Sequence, residues 1–437
     1  MKNSLTLTRK IQIVPVGNKD EKNRVYKYLR EGIEAQNKAM NEYISALYTA
    51  TLMEITKEDR KELNNLFGRI STSKKGSGYD SEVQLPKGYT AGNITQAVQQ
   101  DFANAMKKGL MFGRISLPTY RKDNPLMVHI DYIRLAKTNP HSNNGLYHNY
   151  KSDDEFLNHL YKNDLEIFIK YANHITFQIV FGNPHRSAEL RSVFKNIFDS
   201  TYEVKGSSIE IKSNGKIMLN LTLEIPKQEL ELDENTVVGV DLGLAIPAYC
   251  ALNNSEYVKL RIGSFDDFMR VRTQINNQRQ RLQSKLKMAQ GGHGRNKKLK
   301  AMDKFRDYES NWVKNYNHFV SKQVVNFAVK NKAKYINLED LSGFDKNEKL
   351  LRYWSYYQLQ QFIEYKAAKY GIIVRKINPY HTSQICSCCG HWEEGQRVSQ
   401  NTFICKNPKC KNHDSKVNAD FNAARNIAIS NEFIKQK

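Results

Sequence analysis

Hydrophobic and polar positions alternate with a period of two from residue 5 to residue 15, the pattern of a strand with one buried face. From about 21 to 108 the spacing lengthens to the apolar repeat of helices, with little proline, so a helical region is predicted to interrupt a strand-rich part directly after its first strand. Strand patterns return after the turn-rich SLPTYRKDNP at 116–125. They are ITFQIVFG at 175–182, then IEIK and KIMLNLTLEI on either side of Ser213-Asn214-Gly215. Asn-Gly between alternating strands predicts a two-residue type I′ hairpin, because both turn positions need positive φ. The stretch 136–155, rich in Asn, His, Ser and Asp, reads as a loop.

The acidic ELELDEN at 229–235 separates this half from a different pattern, and a boundary is placed near 232. TVVGVDLG, AIPAYCAL and YVKLRIG read as three short strands. Ser264 can cap a helix reaching about 290, with Phe268, Val271, Ile275, Leu282 and Leu286 on one face. The next helix carries Phe305, Tyr308, Trp312, Phe319, Val324 and Phe327, a stripe expected to be core. A strand AKYINLED, a helix over 354–370, a strand IIVRKIN, a cysteine-rich stretch and a helix opening near 418 complete the chain. Three strands followed by helix, strand, helix, strand and helix is the element order of an RNase H-like α/β fold, an order that other α/β folds share.

Length and charge narrow the function. At 437 residues, two or three compact units are expected. Lys and Arg total 67 against 45 Asp and Glu, a net charge of +22, which favours a polyanionic partner, nucleic acid first. An anionic membrane could attract the same charge, but there is no long apolar run and the mean hydropathy is −0.65, so no spanning helix is expected. The first seventeen residues lack the apolar core of a secretory signal, and a cytoplasmic, prokaryotic protein is expected. Five of the six cysteines lie between 386 and 410, the crowding of a metal knuckle in a reducing compartment and not of a disulfide framework. Cys250, alone in an apolar strand, reads as a small buried hydrophobe.

The acids carry the chemistry. Asp241 ends the apolar VVGVD before a Leu-Gly turn, where a charge is costly unless it binds something. Glu339 ends YINLE, and Asp420 lies in NADFNAARNIA, where Asn418 or Asp420 could open the helix. Singly, each could be a turn residue, a solvated strand end or a helix N-terminal charge. Together they could converge on two Mg²⁺ ions, with Mn²⁺ as a substitute, for phosphodiester hydrolysis. Asp340 is the rival to Glu339, since strand alternation points the two to opposite faces.

The spacing Cys386-x2-Cys389, then Cys405-x4-Cys410, suits one structural Zn²⁺, with Cys388 and His413 as spare donors. Between 269 and 302 the chain carries ten basic residues and no acid; Arg270, Arg272, Arg279, Arg281, Arg295, Lys297, Lys298 and Lys300 are the candidates for phosphate contact. The glycines of GGHG at 291–294 would allow close backbone approach.

GVDLG at 239–243, INLEDL at 336–341, TSQICSCCG at 382–390 and NADFNAARNIA at 418–428 resemble the RuvC-type motif series of TnpB-like nucleases and type V CRISPR effectors. The chain's shortness, SLPTYRKDNPL at 116–126 and GGHGRNKK at 291–298 are similar to the miniature type V-F effectors. The likeness covers nearly all of 236–430 and is thin before 110. It implies that Asp241, Glu339 and Asp420 are catalytic. It further implies an oligonucleotide-binding-type β-barrel, the wedge, at 1–20 and 113–232, interrupted by a helical recognition domain at 21–112. A RuvC-like nuclease would follow at 233–380, a zinc ribbon that binds target nucleic acid at 381–415, and the last nuclease helix at 416–437. The second cysteine pair departs from the family's usual two-residue spacing, which puts the metal there in question.

The function so implied is a CRISPR RNA-guided DNA endonuclease, with guide RNA and target DNA as partners and a homodimer on one guide RNA as its expected assembly. Arg121 and Lys122 become candidates for reading the short motif beside the target. A TnpB-like transposon-encoded nuclease and a catalytically silent nucleic-acid-binding module are the alternatives, and the presence of all three acids argues against the latter.

Overall fold

The computed structural model describes residues 4–53, 58, 91–136, 144–172, 174–184, 187–228, 230–243, 245–288, 291–339, 356–378, 381–431 and 433. Contacts divide the chain into two units, Met1–Pro226 and Lys227–Lys437.

The first unit is built on one seven-stranded antiparallel sheet. Its strands are β1 (Ser4–Pro15), β2 (Leu126–Val128), β3 (Gly145–Tyr147), β4 (Phe168–Tyr171), β5 (Ile175–Val180), β6 (Glu203–Ile211) and β7 (Ile217–Pro226), in the order β2-β6-β7-β1-β5-β4-β3. Every second residue of β7 is buried, Ile217 through Ile225, because side chains alternate across a pleated strand and one face meets the core. That face packs Phe194 and Ile197 of a helix at Ala188–Phe198, and Val25, Leu29 and Ile33 of α1 (Lys19–Leu52). Asn18 opens α1 in a capping box with Glu21. A second helix, α2 (Ala91–Lys107), meets α1 around Met40, Tyr43, Ile44 and Val98.

The sheet closes part of a barrel: β2 and β3 end the strand order, and β3 is bridged at Leu146 to Leu135, in the segment that follows β2. Two expectations for this unit are corrected. The β6–β7 turn is wider than type I′. Gly215 donates to the Lys212 carbonyl at 2.8 Å and has φ +81°, while Asn214 does not have positive φ, so a single left-handed glycine suffices. The stretch 136–155 is not all loop: it carries β3 and opens α3 (Asp153–Lys162), and 137–143 lie outside the described residues.

The second unit centres on a five-stranded sheet of β8 (Asp233–Asp241), β9 (Ala248–Leu252), β10 (Lys259–Ile262), β11 (Ala333–Glu339) and β12 (Ile373–Ile377). The order is β10-β9-β8-β11-β12, antiparallel through β8 and parallel from β8 to β12. Counting the helix at Ala188–Phe198 as α4, the helices here are α5 (Phe265–Lys287), α6 (Gly292–Lys330), α7 (Tyr356–Lys369) and α8 (Ala419–Ile429). Buried residues of α6 and α7, among them Val320, Val324, Leu359 and Ile363, join Val238, Val240, Ile336 and Leu338 in one core. The aromatic stripe of α6 is only partly core: Tyr308 is 56% exposed, and Phe319 is 48% exposed because it lies off the face that buries Asn317, Val320, Ser321 and Val324. Cys250 is wholly buried in β9, as a small hydrophobe would be. The unit boundary falls before 229–235, whose last three residues open β8.

Candidate active site and cysteine knuckle

The parallel pairing of β8 and β11 sets Val240 beside Leu338, so Asp241 and Glu339 stand at neighbouring strand ends one residue further on. Helix α8 brings the third acid. Its N-cap is Asn418, whose Oδ1 accepts from the Phe421 amide at 2.8 Å, which puts Asp420 in the first turn and 8% exposed. The sequence explains how the helix comes so near the sheet. A Cβ on Gly239 would lie 2.0 Å from the Ala424 carbonyl oxygen and 2.3 Å from the Ala428 nitrogen, so only glycine lets α8 lie on β8. Asn337, paired with Gly239 across the sheet and 1% exposed, donates through Nδ2 to the Ile427 carbonyl at 2.9 Å. Two short sequence features, a glycine and a buried asparagine, thus fix where Asp420 sits.

Burial, and then the charges of Glu339 and Asp420, push Asp241 up to about 8. Burial also raises Glu339 and Asp420 above the usual carboxylate range, against the pull of Thr382 and Arg397 on Glu339 and of Arg397 and Arg261 on Asp420. Three acids held this way repel one another when ionised, and all offer hard oxygen donors. Oxygen donors of this type suit a divalent cation such as Mg²⁺, although the three carboxylates do not lie within 4.8 Å of one another as the four cysteine sulfurs do.

Four neighbours of the site were not singled out in the sequence, although Thr382 opens the motif TSQICSCCG. Arg397 lies 4.0 Å from Asp420 Oδ1, acts on all three acids, and is braced by the Gln400 carbonyl at 3.1 Å. The Thr382 hydroxyl donates to Glu339 Oε1. Gln360 Nε2 donates to the Glu339 carbonyl at 2.8 Å. Tyr356 is buried, and burial followed by the nearby Asp241 raises its hydroxyl. Only the fold gathers these residues from 356 to 397. Asp340 lies outside the described residues.

The cysteines meet beside this site. The sulfurs of Cys386, Cys389, Cys405 and Cys410 all lie within 4.8 Å of one another, with Cys386–Cys410 at 3.9 Å and Cys389–Cys405 at 3.7 Å. Tetrahedral ligation with Zn–S bonds of ~2.3 Å would place sulfurs about 3.8 Å apart, so the four thiols fit such an ion. The four-residue spacing of the second pair is absorbed by a turn in which Cys410 donates its amide to the Asn407 carbonyl at 3.0 Å. Cys388 and His413 stand outside the four-sulfur group. The knuckle runs directly into the site, since β13 (Thr402–Ile404) pairs with β14 (Lys416–Asn418), the strand that ends at the α8 cap.

The basic run forms a helical hairpin of α5 and the start of α6. Its acid-free appearance is corrected by the fold. Glu309, further along α6, accepts from Arg272 Nε at 2.8 Å and lies 3.9 Å from Arg279, and Arg270 lies 3.6 Å from Asp267. Arg295 and Lys298 each donate at 3.3 Å to the closing carbonyls of α5, Leu286 and Lys285. Arg281, Lys297 and Lys300 are exposed. GGHG forms the N-cap and start of α6, with Gly291 and Gly292 at positive φ. Arg121 and Lys122 are exposed on a turn whose backbone is held by α1: Asn37 Nδ2 donates to the Arg121 carbonyl at 2.7 Å, and Asn41 pairs with the Tyr120 backbone in both directions.

Comparison with known proteins extends these observations. Residues 356–427 match the family model described as Cas12f1-like, TNB domain. The chain is similar to the CRISPR-associated endodeoxyribonuclease Cas12f1 of Sulfoacidibacillus thermotolerans, 33% identical over 81% of this chain and 81% of that protein. A TnpB-like protein of Methanocaldococcus jannaschii is 33% identical over 28% of this chain and 44% of its own. Among solved structures, the protein of a Cas12f1–sgRNA–target DNA complex aligns with a TM-score of 0.67 at 19% identity, covering 99% of this chain and all of that one.

Proposed function

This chain belongs to the Cas12f1 family of CRISPR-associated endodeoxyribonucleases, and on that premise we propose that Asp241, Glu339 and Asp420 are its hydrolytic centre. The protein is an RNA-guided DNA endonuclease. Guide pairing would read the target sequence while the protein recognises backbone shape and a short flanking motif. The observation that carries the site assignment is the approach of three acids from separate elements to one buried spot, where burial, and then the charges of Glu339 and Asp420, lift Asp241 to about 8.

The sheet order, three antiparallel strands and then two parallel ones, supports an RNase H-like, RuvC-type reading of the second unit. The seven-stranded sheet and the α1–α2 pair support the wedge and recognition readings of the first. Two Mg²⁺ ions held by Asp241, Glu339 and Asp420 would activate a water and stabilise the leaving oxygen. The protein's own contribution is to bring three repelling oxygen donors together on two strand ends and a helix start. Arg397 adds a positive charge beside Asp420, where a phosphate would otherwise meet only acids. The four cysteines would hold one Zn²⁺ that fixes the loop carrying Arg397. Exposed Arg281, Lys297 and Lys300 on the hairpin are proposed phosphate contacts, and Arg121 and Lys122 on the clamped turn are proposed readers of the short flanking motif. A second copy of the chain on the same guide RNA is the proposed assembly, motivated by the chain's small size.

No helix among the described residues is long and apolar enough to cross a membrane. The test is one plasmid incubated at fixed salt and Mg²⁺ with matched guide, scrambled guide or no RNA. Cutting should follow the matched guide only; equal nicking in all three would replace this reading with a general metal-dependent nuclease.

A further inference from the structure

Thr382 links the cysteine knuckle to the carboxylates, and metal ligation by the acids does not by itself explain why it is built in as it is. It lies four residues before Cys386 and is buried, yet its hydroxyl donates to Glu339 Oε1. Its backbone is fixed from helix α8. Asn426 Nδ2 donates to the carbonyls of Thr382 at 2.8 Å and Ile385 at 2.7 Å. Asn422, one turn earlier, donates to the Ile385 carbonyl at 2.7 Å and accepts from the Ser387 amide at 2.8 Å.

The turn that delivers Thr382 is held as well. His381 adopts φ +57°, its ring nitrogen lies 2.7 Å from Gln384 Oε1, and its carbonyl accepts from the amides of Gln384 at 2.9 Å and Ile385 at 3.1 Å. A left-handed non-glycine residue persists only where its surroundings over-determine it. The helix that carries Asp420 therefore also sets the hydroxyl that meets Glu339, and both are tied to the first knuckle cysteine.

We propose that Thr382 is a positioning residue that aims Glu339 at the hydrolytic cation, so that the knuckle and α8 together set the site's affinity for that ion. This rests on the reading of Glu339 as a metal ligand. A hydroxyl on Oε1 fixes the carboxylate plane and leaves Oε2 for the cation. Without it, Glu339 can turn within its strand end, and the ion meets one ordered acid fewer. Outer partners of this kind typically change metal affinity by ~10–100-fold when removed.

The experiment measures Mn²⁺ binding to the full-length protein by electron paramagnetic resonance, beside zinc content, thermal melting and cleavage, for the wild type, Thr382→Val, Thr382→Ser and Glu339→Ala. Thr382→Val keeps the shape and removes the donor, whereas Thr382→Ser keeps the donor. The expected result is Mn²⁺ binding ~10–100-fold weaker in Thr382→Val and within about threefold of wild type in Thr382→Ser. Zinc content and melting temperature should stay unchanged, and cleavage by Thr382→Val should recover as Mn²⁺ is raised. Wild-type Mn²⁺ affinity in Thr382→Val, equal loss in Thr382→Ser, or a loss that tracks missing zinc would each overturn the proposal. Wild-type Mn²⁺ affinity in Glu339→Ala would instead remove Glu339 as a ligand and bring down the underlying reading too.

Discussion

Two groups of side chains in the second unit offer atoms that can ligate metal, and they differ in how they are assembled. The four thiols come from two short turns between 386 and 410, with sulfur separations of 3.7 and 3.9 Å already near those of a tetrahedral ion. The three carboxylates come from positions 241, 339 and 420, and come near one another only because β8, β11 and α8 pack together. Local turns can gather soft thiol ligands at small conformational cost. Gathering acids requires a scaffold rigid enough to hold groups that repel one another, which is what Gly239 and Asn337 provide under α8. On the proposed function, the cluster made by its own loops would brace the fold, and the one imposed by the fold would take up the hydrolytic cation.

The largest expected effect tests the imposed site. Replacing Asp241, Glu339 or Asp420 with Ala should lower cleavage by about a thousandfold or more, because each loss removes a charge from the metal site. Binding of guide and target, followed by gel shift, should remain near wild type. Near-normal cutting by any one variant would take that acid out of the centre.

A smaller but broader loss is expected from the local site. Cys386→Ser or Cys410→Ser should release about one zinc per chain and loosen the region that carries Thr382 and Arg397, since binding energy at such a site is also folding energy. Elemental analysis with limited proteolysis reads both effects. A zinc-free preparation of the wild type with full activity would show that the widened second pair no longer needs metal.

The gentlest effect is on pH. Asp241 has a folded value of about 8 against an ordinary 3.8, raised first by burial. A carboxyl raised on folding contributes stability below its unfolded value, and that contribution is lost as pH climbs through the folded value. The metal-free protein should therefore melt at lower temperature as pH rises from about 4 to about 8. Mg²⁺ takes the proton's place, so its stabilising effect should grow over the same window. Thermal melts with and without Mg²⁺ check this, and Asp241→Asn should flatten the trend. An Mg²⁺ effect that does not change with pH would mean that Asp241 is already ionised in the free protein.

Much of this was readable one residue at a time. Period-two alternation marked β5 and β7, Ser264 marked the start of α5, and the short cysteine spacings marked the knuckle, because each depends on neighbours a few residues away. The three acids could be named from their places at the ends of apolar elements. Their convergence was expected from the motif series, but the packing that produces it could not be read, because it depends on the β8–β11 register and on the absence of a Cβ at Gly239. The same holds for the basic run, whose acid-free appearance ended once the fold placed Glu309 against Arg272 and Arg279.

The sequence by itself thus determined the longer elements, the ligand types and the strong positive charge, since these follow from local pattern and composition. Tertiary structure alone decided which side chains surround the acids. Arg397, Thr382, Gln360 and Tyr356 have no common spacing or motif, and only packing brings them to Asp241, Glu339 and Asp420. Burial is likewise a property of the packed chain, which is why the shift of Asp241 to about 8 could not be read from VVGVD.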